Sequence, residues 1–398
     1  MKPNTNTFAP TSAVQISQRK FVGLPIKSKI VVVGAGAFGG WTALYLLRSG
    51  FQVTMIDAWG AGNSRSSSGD ETRVIRSTYG SNETYFDLNV QALELLKENQ
   101  ERFGKKLFFN TGVVWFCYGE NSPLLDDSIP FSKKHKMEYE YLGIDHIQKR
   151  FSVINTSDLH HAYLDSFGGY LKARESCQAV LEAFQKEGGN FIQAFVEPGK
   201  IYSEKIQDIR LHTGETITAD AFIFACGSWL GQIFPDVLKN TITCTKQEVY
   251  NFGVPKDLSQ QFDSLPAWID LDGKDFYYGI PGNTNRGFKI GVDRRGEIFD
   301  PTDGERILNP DVLLKARNFL AHRFPALKNA PLLESRVCPY ENSPDGNFIF
   351  DTHPEAENLW ILGGGSGHGF KHGPALGEWV AQHLSGQKDR SPLFSLVK

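Results

Sequence analysis

Two glycine-rich stretches lie at opposite ends of this 398-residue chain, "IVVVGAGAFGGWTAL" near the start and "WILGGGSGHGFKHGPALGEW" near the end. Glycines so spaced suit one kind of chemistry: the backbone closes tightly on a phosphate and turns free N–H groups towards it. In the first stretch Gly34 allows the tight turn, Gly36 lets the backbone approach a pyrophosphate, and Gly39 lets the next helix pack on the strand. Asp57 ends "QVTMID", 23 residues after Gly34. There an acidic side chain accepts hydrogen bonds from both hydroxyls of an adenosine ribose. These residues describe a dinucleotide site without separating NAD from FAD.

The elements that must hold them follow from periodicity. Residues 29–33 are a β-branched run, as expected of a strand buried on both faces, and "GWTALYLLRS" reads as a helix closed by Gly50. An NAD enzyme of the doubly wound kind would continue by alternating strand and helix. Here "AWGAGNSRSSSGDETRVIRSTYG" follows instead, then the helix "YFDLNVQALELLKENQERFG". "LFFNTGVVWFCYG" and "DFYYGIPGNTNRGFKIGVDRRGE" read as antiparallel strands with turns. "DAFIFACGSWL" reads as a late strand of the nucleotide domain, with Gly227 and Ser228 near the cofactor.

The expected fold is α/β (α+β overall), in two discontinuous domains. A Rossmann-like FAD-binding domain takes 28–108, 160–236 and 340–398, and a mixed antiparallel β-sheet substrate-binding domain takes 109–159 and 237–339. Residues 1–27 are expected to be a poorly ordered extension. Two glycine turns then hold the two ends of one FAD. The first takes the pyrophosphate, and the last helix points its N-terminus at the pyrimidine edge of the isoalloxazine, which turns negative on reduction.

Composition excludes several classes. A net charge of −3 argues against a nucleic-acid or anionic-membrane surface. No apolar run approaches the ~18 residues that span a bilayer, and the first 27 residues lack the apolar core of a secretory signal. The five cysteines are odd in number, widely spaced and free of CxxC pairs, which points to reduced thiols in a cytoplasmic protein. His368 and His372 stand at helical spacing, but Gly369, Gly373 and Pro374 break a helix there, so no metal is expected.

From Ser28 onward the chain resembles the sarcosine oxidase and N-methyltryptophan oxidase family, within the D-amino-acid-oxidase-like flavoenzymes. The resemblance rests on "GDETRVIRSTYG", "GGYLKAR", "GFKIG", "RVCPYENSPDGNFIFDTHP" and "GGGSGHGFKHGP", in that order. It implies FAD and a secondary or N-methyl amino acid as substrate. Hydride transfer from the substrate C–H to flavin N5 would give an imine, dioxygen would become hydrogen peroxide, and the enzyme would be a monomer. Arg76 and Lys371 would bind the substrate carboxylate, Lys289 would assist the reaction with oxygen, Arg73 would lie near the flavin ring, and Tyr340 beside the substrate. Val196 would touch the adenine. Ser68, Thr72, Gly365, Gly367, His368 and Gly369 fall on cofactor-binding positions of the same motifs, and Cys338 on the position that attaches the flavin covalently.

Two departures bear on the substrate. Where sarcosine-specific members carry a histidine before "TR", this chain has "SSSGDE", one residue longer, and where they carry one after "GFKIG" it has Asp293. An Asp293 near the substrate favours a cationic side chain, or it pairs with Arg294 or Arg295. Sarcosine is therefore open, alongside pipecolate, larger N-methyl amino acids and a glycated (Amadori-type) amine. A flavin dehydrogenase with another acceptor, an NAD-dependent dehydrogenase and a flavin-holding module without turnover are the competing classes.

Overall fold

The computed structural model describes residues 21–270, 276–282 and 286–396. The β-branched strand Lys29–Val33 lies inside a six-stranded sheet and is buried at all but its first residue. Across that sheet the strands run Ile349–His353, Ala356–Gly363, Ala221–Phe224, Lys29–Val33, Gln52–Asp57 and Asn190–Gln193. All neighbours are parallel except the edge pair Ile349–His353 and Ala356–Gly363. Helix Ala37–Arg48 buries ten of its 12 residues because the last helix, Gly373–Leu384, and Ala173–Lys186 pack against it.

This packing depends on missing side chains. A Cβ on Gly34, whose φ is +112°, would stand 2.3 Å from the carbonyl oxygen of Ala225. One on Gly39 would stand 2.0 Å from the carbonyl oxygen of Gly34. Strand, turn, helix and neighbouring strand therefore touch backbone to backbone.

The second sheet has eight strands, in the order Leu332–Asn342, Thr243–Phe252, Phe288–Val292, Tyr277–Ile280, Ala267–Asp270, Val113–Cys117, His161–Asp165 and Glu140–Leu142. It is antiparallel except where Ala267–Asp270 runs parallel to Val113–Cys117. Its apolar face gathers Trp268, Phe288, Phe262 and Phe324 into a core separate from that of Phe38, Trp41 and Trp360. A small sheet of Thr72–Ile75, Gly169–Lys172 and Phe108–Phe109 carries Arg73. The expected boundary at 159/160 falls just before His161–Asp165, and the one at 339/340 falls inside Leu332–Asn342; both strands pair within the eight-stranded sheet.

Of the expected N-terminal extension, residues 1–20 lie outside the described residues. Over residues 21–27, Phe21 stacks on His383 at 4.9 Å between ring centroids, and the Leu24 N–H donates to the Leu384 carbonyl at 2.7 Å. Among the described residues no helix is long and apolar enough to cross a membrane.

The Gly34–Gly39 contact makes a direct prediction. Gly39→Ala should lower the unfolding free energy of the apoprotein by about 2 kcal/mol or more, read as a lower urea midpoint at unchanged m, as overpacking against backbone does. Gly104→Ala is the control: its φ is +63° but nothing lies within 4 Å of the added Cβ, so only the ~1 kcal/mol backbone cost is expected.

Candidate functional site

A cleft of about 320 Å³ runs along the carboxyl ends of the parallel strands, where open α/β sheets bind ligands. Eleven of the residues expected at a cofactor or its ring line it: Gly34, Gly36, Asp57, Ser68, Arg73, Val196, Gly227, Tyr340, Gly365, Gly367 and Gly369. Asp57 is held by backbone: its Oδ2 accepts from Ala35 N–H at 2.8 Å, and its Oδ1 from Trp59 and Gly60 N–H at 2.9 and 2.8 Å. Burial raises its pKa while those three donors pull it down. An ionised carboxylate has about four acceptor positions, so one is left for a ribose hydroxyl. At Gly36 the only atoms near an added Cβ are those of Ser68, with Oγ at 3.3 Å, leaving a cradle that a side chain would fill. These residues fit the adenosine and pyrophosphate of FAD.

The second glycine turn differs from expectation. Gly364, Ser366 and Gly367 adopt φ of +69°, +46° and +79°, which no helix tolerates. The last helix therefore starts only at Gly373, after a single 3-10 turn over Phe370–His372. The loop, and not the first turn of that helix, forms the cleft wall. The Gly365 N–H, moreover, is given to Glu341 Oε1 at 3.3 Å. Glu341 is 7 % exposed, and burial pushes its carboxyl up to about 7 against the opposing pull of the Gly365 and Gly364 N–H groups. Sequence reasoning missed Glu341. The available signal was an acidic residue in "VCPYEN", on a strand with an apolar neighbourhood.

Lys289 is buried, 3 % exposed. Its Nζ donates to Asp70 Oδ2 at 2.5 Å, to the Thr72 carbonyl at 2.8 Å and to Thr72 Oγ1 at 3.4 Å. Arg73 Nη1 donates to the same Asp70 oxygen, its Nη2 to the Ser67 carbonyl at 2.6 Å and, at 3.7 Å, towards Cys338 Sγ. Burial works against the Asp70 carboxylate, but Lys289 and Arg73 together hold its pKa below the usual carboxylate range. Cys338 is off the cleft wall and 4 % exposed; burial raises its thiol and Arg73 lowers it. Gly39 and Thr72 also stand off the wall, the one packing the helix and the other holding Lys289.

Arg76 and Lys371 converge on one ring. Arg76 lies 4.8 Å and Lys371 5.1 Å from the centroid of Tyr79, and neither makes an ion pair among the described residues. Burial, then Arg76, hold Lys371 well below the lysine range, with Asp293 opposing. Asp293 has Arg295 at 3.7 Å and lies within electrostatic reach of Arg76 and Lys371. The Tyr79 hydroxyl meets His372 Nε2 at 2.6 Å and His368 Nδ1 at 3.2 Å. His368 Nε2 faces the Gly346 carbonyl at 2.9 Å, which can only accept. That assigns the proton on Nε2 and makes Nδ1 the acceptor from Tyr79. The two histidines thus anchor a tyrosine, a residue that no sequence signal singled out.

The chain is similar to known proteins over most of its length. The family model described as FAD dependent oxidoreductase matches residues 29–383. Monomeric sarcosine oxidase of Bacillus sp. (strain B-0618) is 28% identical over 373 residues, 92% of this chain and 95% of the relative. N-methyl-L-tryptophan oxidase of Yersinia pestis (strain Pestoides F) is 26% identical over 377 residues, 93% and 98% of the two chains. In fold, the chain matches L-proline dehydrogenase from P. horikoshii with a TM-score of 0.81 at 22% identity, covering 94% and 98% of the two chains. It also matches the fructosamine oxidase of Aspergillus fumigatus (Amadoriase II), with a TM-score of 0.80 at 19% identity over 94% and 90%.

Glu341 yields a test of the site's electrostatics in the apoprotein. An acid whose folded pKa is raised destabilises the fold as pH rises from its unfolded pKa, 4.5, to its folded one, about 7. Above that the penalty is constant, at about 3 kcal/mol. Urea unfolding at pH 5 and pH 8 should therefore show Glu341→Gln gaining on the parent protein at the higher pH.

Proposed function

The chain belongs to the FAD-dependent oxidoreductase family and acts on CH–NH groups, and from that premise we propose that it oxidises a secondary or N-methyl amino acid at the expense of dioxygen. The observation that carries this reading is the pair Arg76 and Lys371 converging on the Tyr79 ring, with no ion pair of their own among the described residues. Two cations so placed call for an anion, and a substrate carboxylate supplies it through charge-assisted hydrogen bonds. Bringing it in restores the charge that burial takes from Lys371.

When bound, FAD would supply the acceptor for the substrate's hydride, with dioxygen as the final oxidant and hydrogen peroxide as its product. The chain's own part is positioning and electrostatics. Gly34, Gly36 and Ser68 would hold the pyrophosphate, Asp57 the ribose, Val196 the adenine edge, and Arg73 with the Gly365–Gly369 loop the ring end. Arg76 and Lys371 orient the substrate so that its C–H bond faces the flavin, a placement worth several kcal/mol of barrier. Tyr340 closes the site, and its ring lies 5.6 Å from the Arg295 guanidinium. Asp293, beside the two cations, favours a substrate with positive charge beyond its carboxylate. Lys289 supplies the positive charge that eases the first electron onto dioxygen. We place the enzyme in the cytoplasm as a monomer, with its five cysteines reduced.

A specific observation favours a second reading. The Lys289 ammonium is closed in on Asp70 and Thr72, an arrangement that also suits a dehydrogenase handing electrons to another acceptor. Peroxide measured per substrate oxidised separates the two.

The experiment that tests the main reading is anaerobic mixing with a panel of secondary and N-methyl amino acids while the flavin absorbance is followed. At least one member should bleach it. If none does and a glycated amine does, the amino-acid reading falls in favour of deglycation. For the covalent bond at Cys338, acid precipitation should carry the yellow colour into the pellet, and Cys338→Ser should leave it in the supernatant. Colour wholly in the supernatant of the parent protein would rule out the bond.

A further inference from the structure

The buried triad of Lys289, Asp70 and Arg73 contains a residue that the resemblance assigns no role. Asp70 is 2 % exposed; its Oδ1 accepts from the Glu71 N–H at 2.7 Å, and its Oδ2 is shared by Lys289 and Arg73. It stands in the lengthened "SSSGDE" segment, 219 residues before its partner lysine. Lys289 itself sits inside the eight-stranded sheet, opposite Asn251 on one side and Ile280 on the other. An ammonium at such a depth persists only if an anion compensates it. We propose that Asp70 is a positioning residue which keeps Lys289 charged in its buried site, and through that charge supports the reaction of the reduced enzyme with dioxygen. The inference rests on the oxidase reading of Lys289 given above.

The surroundings of Lys289 leave no substitute. Arg73 faces it with like charge from the strand Thr72–Ile75. Cys338 faces Lys289 from Leu332–Asn342; Tyr340 on the same strand and Tyr278 from Tyr277–Ile280 lie within electrostatic reach of Arg73. Burial holds all three of these as neutral thiol or phenol by raising their pKa. Arg336, farther along the same strand, adds another positive charge near Asp70. Burial lowers the Lys289 pKa, Arg73 lowers it further, and Asp70 is the anion that restores it. Without Asp70, burial and Arg73 would act against the ammonium with no carboxylate opposing them. The overall reaction is unchanged: two electrons and one proton would leave the anionic reduced cofactor, solvent would supply the second proton, and dioxygen would become hydrogen peroxide. Lys289 neither gains nor loses a proton in it.

The test uses the flavin-loaded protein, reduced photochemically so that no substrate need be known, and mixed with dissolved oxygen from pH 6 to pH 9. Lys289→Met should reoxidise at least tenfold more slowly at every pH. Asp70→Asn should match that deficit at pH 8 and recover towards the parent rate at pH 6, where the amine takes up its proton again; Asp70→Glu should stay close to the parent. Sulfite affinity, an equilibrium measure of positive charge beside the flavin, should fall and recover in the same order. If Lys289→Met is slow while Asp70→Asn keeps the parent rate at pH 8, or is slow without recovery at pH 6, the role of Asp70 is wrong and the oxidase reading survives. If Lys289→Met reoxidises at the parent rate, the oxygen role of Lys289 falls and takes this inference with it. Should Asp70→Asn not fold, the parent protein still decides: its reoxidation must stay flat from pH 6 to pH 9, and a tenfold fall across that range overturns the proposal.

Discussion

The carboxylate of Asp70 is buried where a lone charge would cost several kcal/mol, and it is shared by cations from two different sheets. Lys289 reaches it from the eight-stranded sheet and Arg73 from the small sheet that carries the "TRVIR" segment. Neither strand can shift without uncovering a charge. This ties the strand Thr72–Ile75, and with it Arg73 and the start of the Arg76 loop, to the floor of the larger sheet. Arg336, which reaches the Gly69 carbonyl and Glu71 from the same eight-stranded sheet, adds to this tie.

Around Tyr79 the same physics is left open. Arg76 and Lys371 lie 4.8 and 5.1 Å from the Tyr79 ring centroid without an ion pair among the described residues, and burial takes charge away from Lys371. The ring attracts both cations through its quadrupole, and its hydroxyl meets two histidines, of which His368 is held in turn by the Gly346 carbonyl. One cluster is closed by an ion-paired carboxylate; in the other Asp293 lies within electrostatic reach of both cations but ion-pairs with neither among the described residues, and the site is poised for a ligand. The contrast separates a residue that tunes the site from residues that hold what enters it.

The two glycine turns that look alike on paper do different work. In the first, Gly34 and Gly39 each remove a Cβ that would strike backbone, Gly36 leaves an open cradle, and the helix follows at once. In the second, left-handed residues delay the helix to Gly373, and a buried glutamate takes one of the loop's N–H groups. The helix dipole invoked for the second turn thus acts, if at all, from behind a loop, and the loop itself meets the cofactor cleft.

The sequence by itself determined the parts whose hydrogen bonds and packing close between chain neighbours. Strand Lys29–Val33, its turn, helix Ala37–Arg48 and Asp57 are legible because glycine spacing and β-branched periodicity state their geometry directly. The family motifs likewise named Arg76, Lys371, Lys289 and the cleft-lining glycines. Asp70, Tyr79 and Glu341 stayed hidden, since an acid or tyrosine in a string of letters says nothing of what it will face. Tyr79 meets His372 across 293 residues, and Asp70 meets Lys289 across 219. Only the tertiary structure decides such pairs, because they depend on strand register: Lys289 stands opposite Asn251 and Ile280, and a slip of one residue would turn its side chain to the other face of the sheet.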